Sequence, residues 1–283
     1  MTLAASLLAA VLVGTWNGNW FPSGRAEHRA PEEVEEATVR AAGKMLRAGI
    51  DALDPAGTND LVICLNEIRG PRRARELCAA IGRTNLTLAV ITGYRRRDRF
   101  DQQQDAILTT LPVAASNWSL WKRGGKTLVP PRGYACAKVV VSPAVTATVY
   151  AVHLKSDYGA TTDEIRKSNR EKRRLPVEQL VSMEKPNRRQ ASSPVVIAGD
   201  FNTDRWPKKS EPESIFKTLE DAGFVNTSAL MPEGARGTHP SAKWGDSALD
   251  YVFVRGMAPI GAPVVTSAQK LSDHKPLFVL LGN

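Results

Sequence analysis

The chain has 283 residues, 42% of them hydrophobic, which suffices for a sizeable core and excludes a fibrous repeat or a disordered tail. Lysine and arginine number 38 against 29 acids, a formal net charge of +9 that favours polyanions such as nucleic acid or phosphate-rich surfaces. No apolar run reaches the roughly 18 residues of a membrane-spanning helix, so integral membrane association is not expected.

The opening MTLAASLLAAVLV has the apolar character of a signal peptide without its basic start or a small-x-small cleavage site, and the compartment, secreted or cytoplasmic, stays open. Its second half reads as a buried strand running into Thr15-Trp16-Asn17. After Pro31, acids at 32, 33, 35 and 36 and basic residues at 44 and 47 have the order a helix dipole favours. Val34, Ala37, Ala41, Met45, Ala48 and Ala52 form a 3.6-residue stripe that should lie on a sheet. Leu61–Leu65 is a short continuous apolar run, hence a buried strand, and a second helix starts at Pro71. Further strands are expected at Leu86–Ile91, Ala106–Leu108, Ala137–Val141, Thr146–Leu154, Pro194–Ala198, Ala248–Val254 and Leu277–Leu281. Helices are expected around Arg166–Met183 and Ser214–Gly223. The pattern predicts a mixed α/β chain, two packed sheets with helices outside, counted as one domain over 1–283. Three cysteines read as buried thiols, with a Cys64–Cys78 bridge as a minority alternative.

Charge is uneven. From Ala106 to Ser156 there is no acid, where about five would fall by chance, yet Lys122, Arg123, Lys126, Arg132, Lys138 and Lys155 occur. Arginines cluster at 69, 72, 73 and 75 and at 95, 96, 97 and 99. Trp118 and Trp121 flank this basic region, as aromatics that contact a phosphate backbone do, although large aromatics are mostly buried.

Five segments set polar residues at the ends of apolar strands: Thr15-Trp16-Asn17, Asn66-Glu67-Ile68-Arg69, His153-Leu154-Lys155, Gly199-Asp200-Phe201-Asn202 and Ser272-Asp273-His274, joined by Asp250. Each alone fits ordinary turn chemistry. Together and in this order they resemble the endonuclease/exonuclease/phosphatase superfamily, the deoxyribonuclease I-like metal-dependent phosphoesterases, from Thr15 to Pro276. That resemblance implies a four-layer sandwich, two mixed β-sheets flanked by helices. It also implies a metal-dependent phosphoric ester hydrolase.

A hard divalent cation takes oxygen ligands, so Glu67, helped by Asn17 and Asp273, can hold Mg²⁺ or Mn²⁺, with Ca²⁺ a further candidate. The resemblance implies that Asp200 orients or deprotonates water, that Asn202 binds phosphate, and that Asp250 and His274 form a dyad. His153 resembles the deoxyribonuclease I and sphingomyelinase branch, where the histidine pairs with an upstream acid and protonates the leaving oxygen. Here the upstream segment offers Asp101, Asp105 or a glutamine. Asn19 stands where abasic-site endonucleases often carry aspartate. Arg69, two residues beyond Glu67, is expected to share its face and reach DNA; Lys155 and Thr238 are expected to meet phosphate. The expected substrate is nucleic acid, most of all DNA cut endonucleolytically with little sequence preference, by a monomer. A phospholipid or inositol-phosphate hydrolase is the alternative.

Overall fold

A computed structural model of the chain describes residues 10–23, 30–96, 99–100, 103–130, 132–185, 193–208, 210–241 and 245–282. The signal-like start up to residue 9, the Arg97 of the second arginine cluster, and Asp101 lie outside the described residues.

The first sheet contains β1 (Val11–Phe21), β2 (Asp60–Ile68), β3 (Thr87–Ile91) and β4 (Gln104–Thr109). The second contains β5 (Val113–Leu120), β6 (Gly133–Ser142), β7 (Val145–His153), β8 (Val195–Asp200), β9 (Val225–Asn226) and β10 (Asp250–Arg255). The chain then returns to the first sheet with β11 (Ala258–Pro259), β12 (Val264–Val265) and β13 (Leu277–Gly282). Strand orders are β11-β13-β1-β2-β4-β3, with β12 also on β13, and β9-β10-β8-β7-β6-β5. Both sheets are mixed: β1–β2 and β7–β8 are parallel, β1–β13 and β8–β10 antiparallel.

The central strands β1, β2, β8 and β10 bury both faces, which is why their apolar runs are continuous rather than alternating. Along β1, Val11 and Val13 enter the core between the sheets, where they join Val62, Val149, Val252 and Val279. Leu12 and Trp16 face the other way, into a core under α1 (Glu32–Leu53) and α2 (Pro71–Ile81). A third core joins the outer face of the second sheet to α3 (Asp163–Met183) and α4 (Ser214–Asp221) through Val177, Leu180, Phe216 and Phe253. The result is the four-layer sandwich of two large mixed sheets and four helices.

Three expectations need correction. In α1 the buried face is Glu35, Val39, Ala42, Gly43, Leu46, Gly49 and Ile50, while Val34 is 48% exposed; Met45 alone of the predicted stripe is deeply buried. The stripe counted alanines, whereas the close contacts run over glycines: a Cβ on Gly43 would meet Ala80 at 2.4 Å and one on Gly49 the Phe278 ring at 2.2 Å. Cys64 and Cys78 are free, on opposite faces of the first sheet, so no bridge joins them. The arginines opening α2 are not an open basic patch. Arg73 is 5% exposed and paired with Glu32, Glu35 and Glu76, and Arg72 with Glu32 and Glu76.

Candidate active site

The same ends of both sheets converge on one cluster. Across three neighbouring strands of the second sheet, His153 on β7 pairs in register with Asp200 on β8, which pairs with Asp250 on β10. Gly199 must precede Asp200: its φ is +145°, and a Cβ there would lie 1.9 Å from the Val152 carbonyl oxygen. On the facing sheet Asn17 of β1 pairs with Asn66 of β2, and Glu67 follows. The loop before β13 adds Asp273 and His274, tied down by Trp16 Nε1 donating to the His274 carbonyl (3.2 Å) and Ser272 Oγ donating to that of Asn17 (2.7 Å).

Asn17 links the two sheets. Its Nδ2 donates to Asp200 Oδ2 (2.9 Å) and Glu67 Oε1 (3.3 Å), and its Oδ1 accepts from the Asn19 amide (2.9 Å). Glu67 Oε2 accepts from the Trp20 amide (3.0 Å), and Asp200 Oδ1 from the Asn202 amide (2.8 Å). Asn19, Trp20, Glu67 and Asn202 all adopt positive φ, between 49° and 60°. Four strained non-glycine residues around one pair of carboxylates mark a site whose geometry is imposed by its surroundings.

Electrostatics separate the two histidines. His153 is buried, and burial, then Arg132 and His274, push its pKa well below the usual imidazole value. For His274 burial acts in the same direction but is outweighed by Asp250, whose Oδ2 lies 2.7 Å from Nδ1, and by Asp200, so its pKa rises to about 10. Thus one imidazole is neutral and the other positive at neutral pH. Burial raises the Asp200 carboxyl to about 7 against the opposing pull of His274.

The donor set fits a hard cation. Glu67 Oε1 and Asp200 Oδ2 converge on the same Asn17 amide and lie 3.7 and 3.6 Å from His153 Nε2, and among the described residues neither carboxylate pairs with a lysine or arginine. Two buried carboxylates without a full counter-charge suit a divalent ion. Two other groups with ligand atoms within 4.8 Å are Asp200-Asp250-His274 and His239-Asp273-His274.

Not every expected residue joins the centre in its expected role. Asp273 is half exposed, 3.8 Å from His239 Nε2, with no contact to Glu67 among the described residues. Asn202 uses both amide hydrogens on Asp200 Oδ2 (2.8 Å) and the Leu154 carbonyl (3.2 Å), so it braces Asp200. Thr238 is buried, and its hydroxyl oxygen accepts from the Leu249 and Asp250 amides, both at 3.0 Å, fixing the start of β10. Arg69 is turned elsewhere: its guanidinium donates to Glu35 and Ser23, each at 2.5 Å. The expectation of a face shared with Glu67 assumed regular alternation, which the positive φ of Glu67 and a register shift between Leu65 and Ile68 interrupt. Lys155 donates to the Ser156 carbonyl (2.5 Å), and burial, with Arg132 and Lys172, lowers its pKa. Asp105 is not the partner of His153; it accepts from Asn66 Nδ2 (2.7 Å) and the Tyr94 hydroxyl (2.9 Å).

Two contributors escaped the sequence reading. Asn66 is fully buried and donates to Asp105 and the Val152 carbonyl (3.0 Å) while accepting from the Asp200 amide (3.0 Å). Its place directly before Glu67 is the signal that was available. His239, 4.9 Å from the His274 ring, follows Thr238 with no comparable cue.

A family model described as the endonuclease/exonuclease/phosphatase family matches residues 14–274, nearly the whole chain, and the chain belongs to that family. Its members are generally phosphoric ester hydrolases, typically dependent on a divalent metal. No curated protein sequence matches the chain. Among solved structures, an endonuclease/exonuclease/phosphatase from Beutenbergia cavernae is 18% identical with a TM-score of 0.67, over 97% of this chain and 72% of that one. A family protein from Leptotrichia buccalis is 14% identical with a TM-score of 0.62, over 97% and 100%. A humanized TDP2 of D. rerio is 14% identical with a TM-score of 0.60, over 97% and 99%. At these identities the likeness is one of fold.

Proposed function

We propose that this protein is a divalent-metal-dependent phosphodiesterase that cleaves nucleic acid, DNA with little sequence preference. The observation carrying the reading is the convergence of Glu67 and Asp200 on one amide, beside a neutral histidine and a positive one. Glu67, with Asn17 turned to present its oxygen, would hold the ion. When bound, it supplies a Lewis acid for a phosphate oxygen.

The chain's own groups do the rest. Asp200, held by Asn17 and Asn202, accepts a proton from the attacking water; a carboxyl near 7 is matched to that task at neutral pH. His274, kept protonated by Asp250, sets positive charge where the phosphoryl oxygens gain negative charge. His153 presents Nε2 3.6 Å from Asp200 Oδ2; neutral at rest, it takes up a proton there before giving one to the leaving oxygen. Polyanion binding falls to the acid-free segment, whose hairpin pairing Lys122–Arg123 with Lys126–Thr127 is exposed.

Purified protein incubated with plasmid DNA, RNA, sphingomyelin and inositol phosphates, each with Mg²⁺, Mn²⁺ or chelator, tests the reading. DNA cleavage should require the metal and weaken steeply with salt, with a log–log slope of about −0.9 per phosphate contact. Salt-insensitive DNA cleavage with faster turnover of the lipid or inositol phosphate would overturn the nucleic-acid reading and leave the phosphoesterase one standing.

A further inference from the structure

Behind His153, on the α3 side of the second sheet, lies a cavity of about 10 Å³, room for roughly one oxygen atom. Its lining combines Trp121, His153, Arg132, Lys155 and Lys172 with an apolar wall that includes Leu128 and Pro176. Trp121 is 2% and His153 4% exposed, and Trp121 Nε1 and His153 Nδ1 both lack a hydrogen-bond partner. Buried polar nitrogens are almost always satisfied, so two orphans lining one cavity call for a missing partner. An indole N–H can only donate, and the remaining polar groups of the lining are cations. Among the described residues no carboxylate lines the cavity. The indole therefore calls for an acceptor, and the cations of the lining, Arg132, Lys155 and Lys172, favour one with negative charge.

We propose that this cavity seats a phosphate group of the substrate adjoining the one cleaved, entering by one oxygen between Trp121 and His153 with Lys155 and Lys172 at its remaining oxygens. The second-phosphate role rests on the phosphodiesterase reading; the anion site itself does not. An oxygen accepting from Nδ1–H would fix the tautomer of His153, the task expected of an upstream acid, which Asp105 does not perform because it is committed to Asn66 and Tyr94. With the proton on Nδ1, Nε2 is left to accept, 3.6 Å from Asp200 Oδ2, so the second phosphate holds the ring in place before any proton reaches Nε2.

The full chain, labelled with ¹⁵N-tryptophan and free of metal, is titrated with inorganic phosphate, the Trp121 indole signal being assigned by its loss in Trp121→Phe. A saturable downfield shift of that signal, weakened about tenfold in Lys172→Gln, the order of one charge-assisted contact, is expected. Kinetics supply the second arm: a 5′-phosphorylated dinucleotide should be preferred over the unphosphorylated one, chiefly through KM, and Lys172→Gln should cut that preference about tenfold. Lys217→Gln, an equal charge change on the exposed face of α4, should leave it unchanged. An indole signal indifferent to phosphate overturns the anion site. A phosphate-responsive indole without any preference between the dinucleotides overturns the substrate role and leaves a site for free phosphate. If neither dinucleotide is hydrolysed, the phosphodiesterase reading fails while the titration still decides the anion site.

Discussion

Replacing Asn66 by alanine should damage stability and catalysis together. The side chain is fully buried and makes three hydrogen bonds: one to Asp105 within the first sheet, and two, to the Val152 carbonyl and from the Asp200 amide, that join the first sheet to two strands of the second. Alanine leaves all three groups without this partner in a site closed to solvent. Each abandoned buried group costs about 1–3 kcal/mol. A water entering the vacated space recovers part of that, so a net loss of about 3 kcal/mol is expected. For a chain of this length that lowers Tm by roughly 6–12 °C. Circular dichroism during heating, together with the urea midpoint, measures it. Turnover should fall as well, because the amide anchoring Asp200 loses its acceptor. A stability change within about 0.5 kcal/mol, the range of ordinary surface substitutions, would refute the claim that Asn66 ties the sheets together at the site.

Asp250→Asn and His274→Ala should each be severe for turnover, and the double variant little worse than either, since a carboxylate 2.7 Å from Nδ1 and its imidazole act as one unit; additive losses in single-turnover rates would separate them. Glu67→Gln should raise the Mg²⁺ concentration needed for half-maximal activity, read from metal titrations of the rate. Burial raises the Asp105 carboxyl to about 7, above its ordinary 3.8, against hydrogen bonds from Asn66 and Tyr94 that act the other way. The folded state therefore keeps a proton that the unfolded chain releases, and this contribution is full below pH 4 and lost as pH rises toward 7. Asp105→Asn should gain on the parent chain between pH 5 and pH 8 in urea midpoints, and an unchanged difference would exclude the effect. Arg73→Ala should destabilise by about 1–3 kcal/mol, since buried Glu35 loses one of its two arginine partners and keeps Arg69, a loss visible in the same urea assay.

Much of the fold is legible in the chain because doubly buried strands write themselves as short apolar runs, and β2, β8 and β13 stand where those runs predict. β5 was missed: Val113–Leu120 is an exposed edge strand of small and polar residues, with Trp118 41% exposed, so burial leaves no trace in it. The members of the candidate site are legible because Asn17, Glu67, His153 and Asp200 each lie at or near the end of an apolar run. Their bonding is not. Whether Arg69 faces DNA or Glu35, 34 positions away, depends on how α1 lies against the start of α2. The glycine contacts that decide this carry no hydrophobic signal. The same limit explains Arg72 and Arg73, whose charges look free in sequence and are neutralised in space by acids from α1 as well as by Glu76 of their own helix.

Hydrolysis of a small chromogenic phosphodiester by the parent chain and by Asp200→Asn, each with Mg²⁺ and with excess chelator, tests the metal-dependent site most directly. Metal-dependent turnover that falls by about 10² or more in Asp200→Asn, the range for a lost positioned base, is the result expected. Full activity in chelator, or an Asp200→Asn variant as fast as the parent, would contradict it.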